Sequence, residues 1–245
     1  MLPLSVQLQQ LFSGFTFTFL LQAACSTLAL AVAGCSCGLV MGLLVACLRR
    51  SSALYLLPLR VLLVVFVELM RRIPFLVTLF LTLFVLQALG TNLSFFSIAL
   101  IAVCLIATAY LAEIFRAGFD SVPQAQIEAA QTLNFSHRQI LFTVMLPQAW
   151  KVVLPPAFSF VVSFIKDTAL ASQLGVVELT FASKILITRG YSAFLIYGLI
   201  LLVYFALSWP LSLLGAWLEQ RTQRAFNPPA QAPVALASQP LLHRR

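Results

Sequence analysis

The chain has 245 residues, of which 61% are hydrophobic and 9% charged, with a formal net charge of +8. A soluble domain carries about 25% charged residues, so this composition excludes an ordinary soluble globular protein and makes a bilayer the natural solvent. The positive balance does not imply nucleic acid, because no basic stripe interleaved with aromatics exists; in a membrane chain, excess Lys and Arg mark cytoplasmic loops.

No Asp, Glu, Lys or Arg precedes Arg49, none occurs from Ile73 to Ala112, and none from Gly190 to Trp217. Each run exceeds the roughly 18–20 residues needed to cross the hydrocarbon core as a helix. The N-terminal run lacks a basic leading region and is too long for a secretory signal. The first span is predicted from about Phe15 to Leu48, closing on Arg49-Arg50. A short amphipathic stretch, Ser51 to Arg60, follows. The second span covers Val61 to Gly90, with Glu68, Arg71, Arg72 and Pro74 in its middle. A polar turn at Gly90-Thr91-Asn92 leads to a third span, Phe95 to about Phe115. Then comes a polar insert, Arg116 to Lys151. The fourth span runs from Pro155 to about Val177 and contains Lys166-Asp167. A linker carrying Glu178, Lys184 and Arg189 precedes the fifth span, Tyr191 to Trp217. The expectation is an all-α polytopic membrane protein: a transmembrane domain over 1–224 with a polar loop at 117–150, and a disordered tail over 225–245. Cys25, Cys35, Cys37, Cys47 and Cys104 lie in apolar runs and read as small buried hydrophobes, not as a disulfide or metal set.

The basic residues orient these spans. With five spans, the N-terminus outside and the C-terminus inside, Arg49, Arg50, Arg60, Arg116, Arg138, Lys151, Arg221, Arg224, Arg244 and Arg245 fall inside, and only Lys184 and Arg189 outside. Dividing the second span at Arg71–Pro74 would make six and break this asymmetry. Pro74 is therefore expected to kink one long helix.

The insert reads as two short helices. Ser121 caps the first, with Gln124 three residues on; Asn134 occupies the left-handed position after its end; Ser136 with Gln139 is a capping box for the second. Within it, Glu128-Ala129-Ala130, then Asn134, then Val144-Met145-Leu146-Pro147 resembles the Glu-Ala-Ala loop of ATP-driven importer permeases. Ala109 to Gly118, Leu146-Pro147-Gln148-Ala149, Leu154-Pro155-Pro156, Lys166-Asp167-Thr168 and Gly175-Val176-Val177-Glu178-Leu179 are similar to the polar amino acid subfamily (histidine, glutamine and arginine permeases), in order and spacing over roughly Leu62 to Thr180. The sequence departs from that pattern at Asn134 for Gly, at Arg72-Ile73 for Gly-Thr, at Thr78 for Gln and at Ala169 for Ser.

The resemblance implies the importer-permease fold of the bacterial inner membrane and alternating-access translocation of polar amino acids or amino-acid-like solutes such as opines. It also implies coupling through Gln126, Glu128, Ala129, Ala130, Leu133 and Asn134 to a separate ATP-binding subunit. The further partners implied are a periplasmic solute-binding protein, a second permease copy or sister permease, and membrane lipid. No catalytic residue, metal or cofactor is expected; no G-x-x-x-x-G-K-[ST] phosphate loop is present. A non-amino-acid solute is the alternative cargo. A stand-alone channel or secondary transporter would show an inverted repeat or filter loop instead.

A Lys or Arg at the bilayer centre costs about 2.5–3.5 kcal/mol on insertion scales, so such residues pair or line a cavity. A helix starting at Pro155 places Lys166 about 16 Å further on, near the midplane. Arg71, Pro74, Thr78, Lys166, Asp167 and Thr168 are the candidate substrate path, with Arg71 or Lys166 meeting a carboxylate and Asp167 or Glu68 an ammonium. The competing reading makes Glu68 a partner of Arg71 or Arg72 and Glu113 a partner of Arg116.

Overall fold

The computed structural model describes residues 14–51 and 53–226, and side chains within that range through Arg221. The residues after Phe226, with nearly all of the expected disordered tail, lie outside it, as do the first 13. Among the described residues there are nine α-helices and no strand: α1 (Gly14–Arg50), α2 (Leu57–Arg72), α3 (Phe75–Ala88), α4 (Phe95–Asp120), α5 (Gln124–Thr132), α6 (His137–Gln139), α7 (Leu146–Asp167), α8 (Leu179–Thr188) and α9 (Ala193–Phe226). Four helical segments are long and apolar enough to cross a bilayer: Gly14–Arg50, Phe95–Asp120, His137–Leu174 and Ala193–Arg221.

The central pair is α1 and α4. Gly34, Gly38 and Gly42 recur every four residues and form one face of α1. They meet Val103, Ala107 and Leu111–Ala112 of α4 in that order, so the two helices run parallel. The approach is backbone-close: a Cβ on Gly42 would lie 2.8 Å from the Ala112 amide nitrogen, and one on Gly38 would lie 2.8 Å from the Ala107 carbonyl carbon. Only a residue without a side chain fits there.

The second span is not one kinked helix. It breaks: α2 ends at Arg72, Ile73 is extended (φ −84°, ψ 134°), and Pro74 precedes α3. Proline forces the residue before it out of the helical region. Yet both pieces pack antiparallel along α4. Val67 of α2 shares a cluster with Ala112 and Val45, Phe75 of α3 packs with Val103 and Ile106, and Leu79 packs with Ile98, Ala99 and Ala102. The pieces therefore climb α4 in succession as two halves of one broken rod.

The polar insert is shorter than its composition suggests. His137–Gln139 runs through a π-helical turn, Ile140–Met145, straight into α7, and the helix continues through Pro155-Pro156. Prolines inside a helix cost backbone hydrogen bonds. Here Ala149, Val153 and Ala157 are buried in a cluster shared with Phe115 and Phe119 of α4, and that packing holds the helix together. The fourth span therefore begins well before Pro155. It also ends earlier than Val177: α7 stops at Asp167, a tight 3-10 turn covers Thr168–Leu174, and Gly175 (φ 88°) takes the left-handed conformation. What reads as a linker is α8, buried against α1 through Ala23, Ala24, Ala182 and Leu186, with Ile196 and Ile200 of α9. Together α7 and α8 thus form a second broken rod, and α9 returns beside it. The helix expected over Tyr191–Trp217 is present, lengthened to Ala193–Phe226, and is one of the four segments able to cross a bilayer.

Candidate functional site

The elbow is a compact cap on the ends of α4 and α7. Ser121 does not cap α5. It closes α4 instead, its hydroxyl donating to the Gly118 carbonyl at 2.7 Å, because α4 runs on to Asp120; α5 starts directly after Pro123. The other end follows the sequence reading. Asn134 is left-handed (φ 59°), its amide donates to the Gln131 carbonyl (2.9 Å), and the Phe135 amide donates to the Ala130 carbonyl (3.1 Å). Those two bonds form a Schellman motif. The capping box is complete: the Gln139 amide donates to Ser136 Oγ (3.4 Å), and the Ser136 amide donates to Gln139 Oε1 (2.8 Å).

The six elbow candidates divide by face. Ala130 is buried with Ile127 on the cluster of Phe119, Val122, Ile140 and Met145, so it is a packing residue. Its small size lets α5 lie close to the end of α4. Gln126 faces sideways and accepts from Gln148 Nε2 at 2.6 Å, which ties α5 to α7. Glu128, Ala129, Leu133 and Asn134 are exposed. Leu133 is 70% exposed and Phe142 57%. The projection thus presents one carboxylate beside bare apolar side chains, the makeup of a docking surface.

The substrate-path candidates also divide. Phe75 and Phe164 pack with ring centroids 5.1 Å apart, which brings the break at Pro74 beside the turn before Lys166. Phe164 clusters with Cys35, Val103 and Ile106, at the middle of α1 and α4. Lys166 therefore lies level with the middle of α1 and α4 although its helix starts earlier than Pro155. Lys166, Asp167 and Pro74 are exposed, and neither Lys166 nor Asp167 enters an ion pair among the described residues. Thr78 is buried with its hydroxyl unpartnered, and Thr168 is buried, donating to the Ile165 carbonyl at 2.7 Å. Arg71 turns away from this face. Its Nη1 lies 3.7 Å from Glu113 Oε1, and Tyr110 donates to its backbone carbonyl at 3.3 Å. Glu68 pairs with Arg72 at 2.8 Å, and Glu113 with Arg116 at 2.6 Å, as the structural reading of those residues expects.

Sequence reasoning missed the role of Glu178. It is fully buried at the break between the 3-10 turn and α8. Its carboxylate accepts from the Phe181 amide (2.8 Å), capping α8, and from the Tyr204 hydroxyl (2.9 Å) of α9. Thr180 Oγ1 lies 3.1 Å from the Tyr204 oxygen, and the Leu179 amide donates to Thr27 of α1 at 3.2 Å. The signal was available: an acidic residue immediately before an apolar helical run is an N-cap pattern.

A family model described as the binding-protein-dependent transport system inner membrane component matches residues 38–224. The L-cystine transport system permease protein of Bacillus subtilis is 37% identical over 188 residues, 76% of this chain and 79% of that one. A probable glutamine ABC transporter permease protein of the same organism is 38% identical over 165 residues, 65% of this chain and 75% of that one. Among solved structures, an amino acid ABC transporter crystallised with histidines superposes with a TM-score of 0.79 at 28% identity, covering 90% of this chain and 99% of that one. The inward-facing MetNI methionine ABC transporter gives 0.73 at 21% identity over 86% and 99%, a likeness of fold alone.

Proposed function

The chain belongs to the family of binding-protein-dependent transport system inner membrane components, and from that premise we propose that it is the permease subunit of an ATP-binding-cassette importer for polar amino acids. It is a multi-pass protein of the bacterial inner membrane and a transport subunit, with ATP hydrolysed by a separate subunit. The observation that carries the mechanism is the elbow: a capped, tied projection that a partner can push as a rigid body. Closure of two ATPase subunits on Glu128, Ala129, Leu133 and Asn134 moves α4 and α7, on which the elbow is built, and alternates access across the bilayer.

Five traverses fit the packing: α1, the broken rod of α2 and α3, α4, the broken rod of α7 and α8, and α9. Parallel α1 and α4 require an odd number of crossings between them, which supports one crossing by α2 and α3 together. With the elbow on the ATPase side, the N-terminus is outside and the C-terminus inside. Broken rods are where transporters place solute sites. Lys166 and Asp167, beside the Pro74 break, receive the carboxylate and ammonium of the solute. A solute-binding protein delivers it, and a second permease, identical or sister, completes the path.

Transport by the reconstituted complex tests the coupling half of the proposal. Glu128→Lys leaves a folded, membrane-inserted chain that fails to support ATP-driven uptake; normal uptake by that variant refutes it. For the substrate half, uptake and ATPase stimulation are measured across a panel of polar amino acids with the binding protein present. A response to none of them refutes that half.

A further inference from the structure

The charged residues of α1 and α4 lie near the ends of those helices, and α2, antiparallel to α4, sets Glu68, Arg71 and Arg72 of its last turns and Arg60 of its first turns alongside them, forming a charged corner. Arg49 Nη1 lies 3.4 Å from Glu113 Oε2, Arg71 Nη1 lies 3.7 Å from Glu113 Oε1, and Arg116 bonds the same Oε1. Arg116 also bridges to Asp120, whose other oxygen is 3.0 Å from Arg50. Arg72 and Glu68 form their own pair. Arg60 sits seven residues before Val67 on α2. It is therefore on the face that packs against α4, two turns nearer the corner. Its Nε is buried without a hydrogen-bond partner, as is that of Arg71, and it enters no ion pair among the described residues. Six guanidiniums thus face three carboxylates, and three positive charges stand uncompensated at the edge of an apolar bundle.

The cost falls on the buried, unpartnered guanidinium nitrogens of Arg60 and Arg71, and an anion at the corner would offset it. The surroundings indicate which anion. Leu57, Val61 and Val64 stand beside Arg60 on α2, at i, i+4 and i+7, and all three are exposed. A phosphate group at the arginines would have its acyl chains laid along that face. A second copy of this chain is a poor occupant, because it would set one uncompensated positive corner against another. We propose that this corner is a binding site for the phosphate of an anionic phospholipid, with Arg60 and the partly exposed Arg50 as its ligands and Glu113 holding Arg49, Arg71 and Arg116 in place. The inference needs only that the chain is membrane-embedded and is independent of the solute carried.

The test uses the whole purified complex. Retention of phosphatidylglycerol through delipidation is read by native mass spectrometry against phosphatidylcholine, with inorganic phosphate as competitor. Phosphatidylglycerol is expected to be retained preferentially, and Arg60→Gln and Arg50→Gln are each expected to lower retention roughly fivefold, from the attraction of about one basic residue to an anionic headgroup. Arg60→Lys keeps the charge and should keep the lipid, which separates charge from any folding defect. Arg138→Gln removes an exposed charge at the elbow and should leave retention unchanged. Equal retention of the two lipids, unchanged retention in Arg60→Gln, or an equal loss in Arg138→Gln would overturn the site. Displacement of the lipid by millimolar inorganic phosphate would assign the corner to a soluble anion and overturn the lipid reading.

Discussion

Tyr204→Phe removes a single oxygen from a buried network and isolates what that network contributes. The hydroxyl donates to the Glu178 carboxylate at 2.9 Å, and Glu178 is fully buried. A hydrogen bond to a charged group contributes about 1.5–3 kcal/mol net. The variant keeps the ring, so no large cavity opens, and the Phe181 amide still donates to Glu178. A loss of about 2 kcal/mol follows, which for a chain of this size lowers the melting midpoint by about 4–8 °C. Glu178→Ala removes the cap of α8 as well, at about 1 kcal/mol, and leaves the Tyr204 hydroxyl beside Thr180 Oγ1, so its loss should be about 3 kcal/mol. The assay is thermal unfolding of the purified complex, followed for both single variants and the double variant. Because the two groups share one bond, the double variant should lose clearly less than the sum, with a coupling of about 1–2 kcal/mol. A Tyr204→Phe midpoint within about 1 °C of the parent chain, or additive losses, would refute the claim that the network joins α8 to α9.

Gly38→Val forces a side chain into the Ala107 backbone and should cost about 1–3 kcal/mol or more, seen as loss of monodisperse protein in size-exclusion chromatography. Gly198→Ala meets nothing within 4 Å and should be neutral or stabilising by up to about 1 kcal/mol; a marked loss would contradict the packing described for α9. Asn134→Gly should preserve transport, since glycine suits φ 59°, whereas Asn134→Val should destabilise the elbow by about 1–2 kcal/mol and reduce coupling measured as ATPase stimulation. Glu113→Gln leaves Arg49, Arg71 and Arg116 around a neutral group and should lower thermal stability more than Glu68→Gln, which disturbs only the exposed Arg72 pair.

Membrane embedding was decided by composition alone, because uncharged runs longer than a bilayer have no other stable environment. The elbow was also legible. Asn134 and the Ser136–Gln139 box act through bonds within a few residues, so local sequence is sufficient to specify them. Ser121 misled because the same residue can end one helix or begin another, and only the length of α4 decides between them. Tertiary packing settled the rest. Whether Pro74 bends or breaks a helix, and whether Pro155-Pro156 stops one, depends on which faces α4 buries. That Ala130 is inside and Ala129 outside depends on how α5 seats on α4 and α7. Glu178 meets Tyr204, and Arg71 meets Glu113, across 26 and 42 residues of chain. Partners so distant in sequence leave no periodic trace, because they are chosen by how the broken rods pack around the parallel pair α1 and α4.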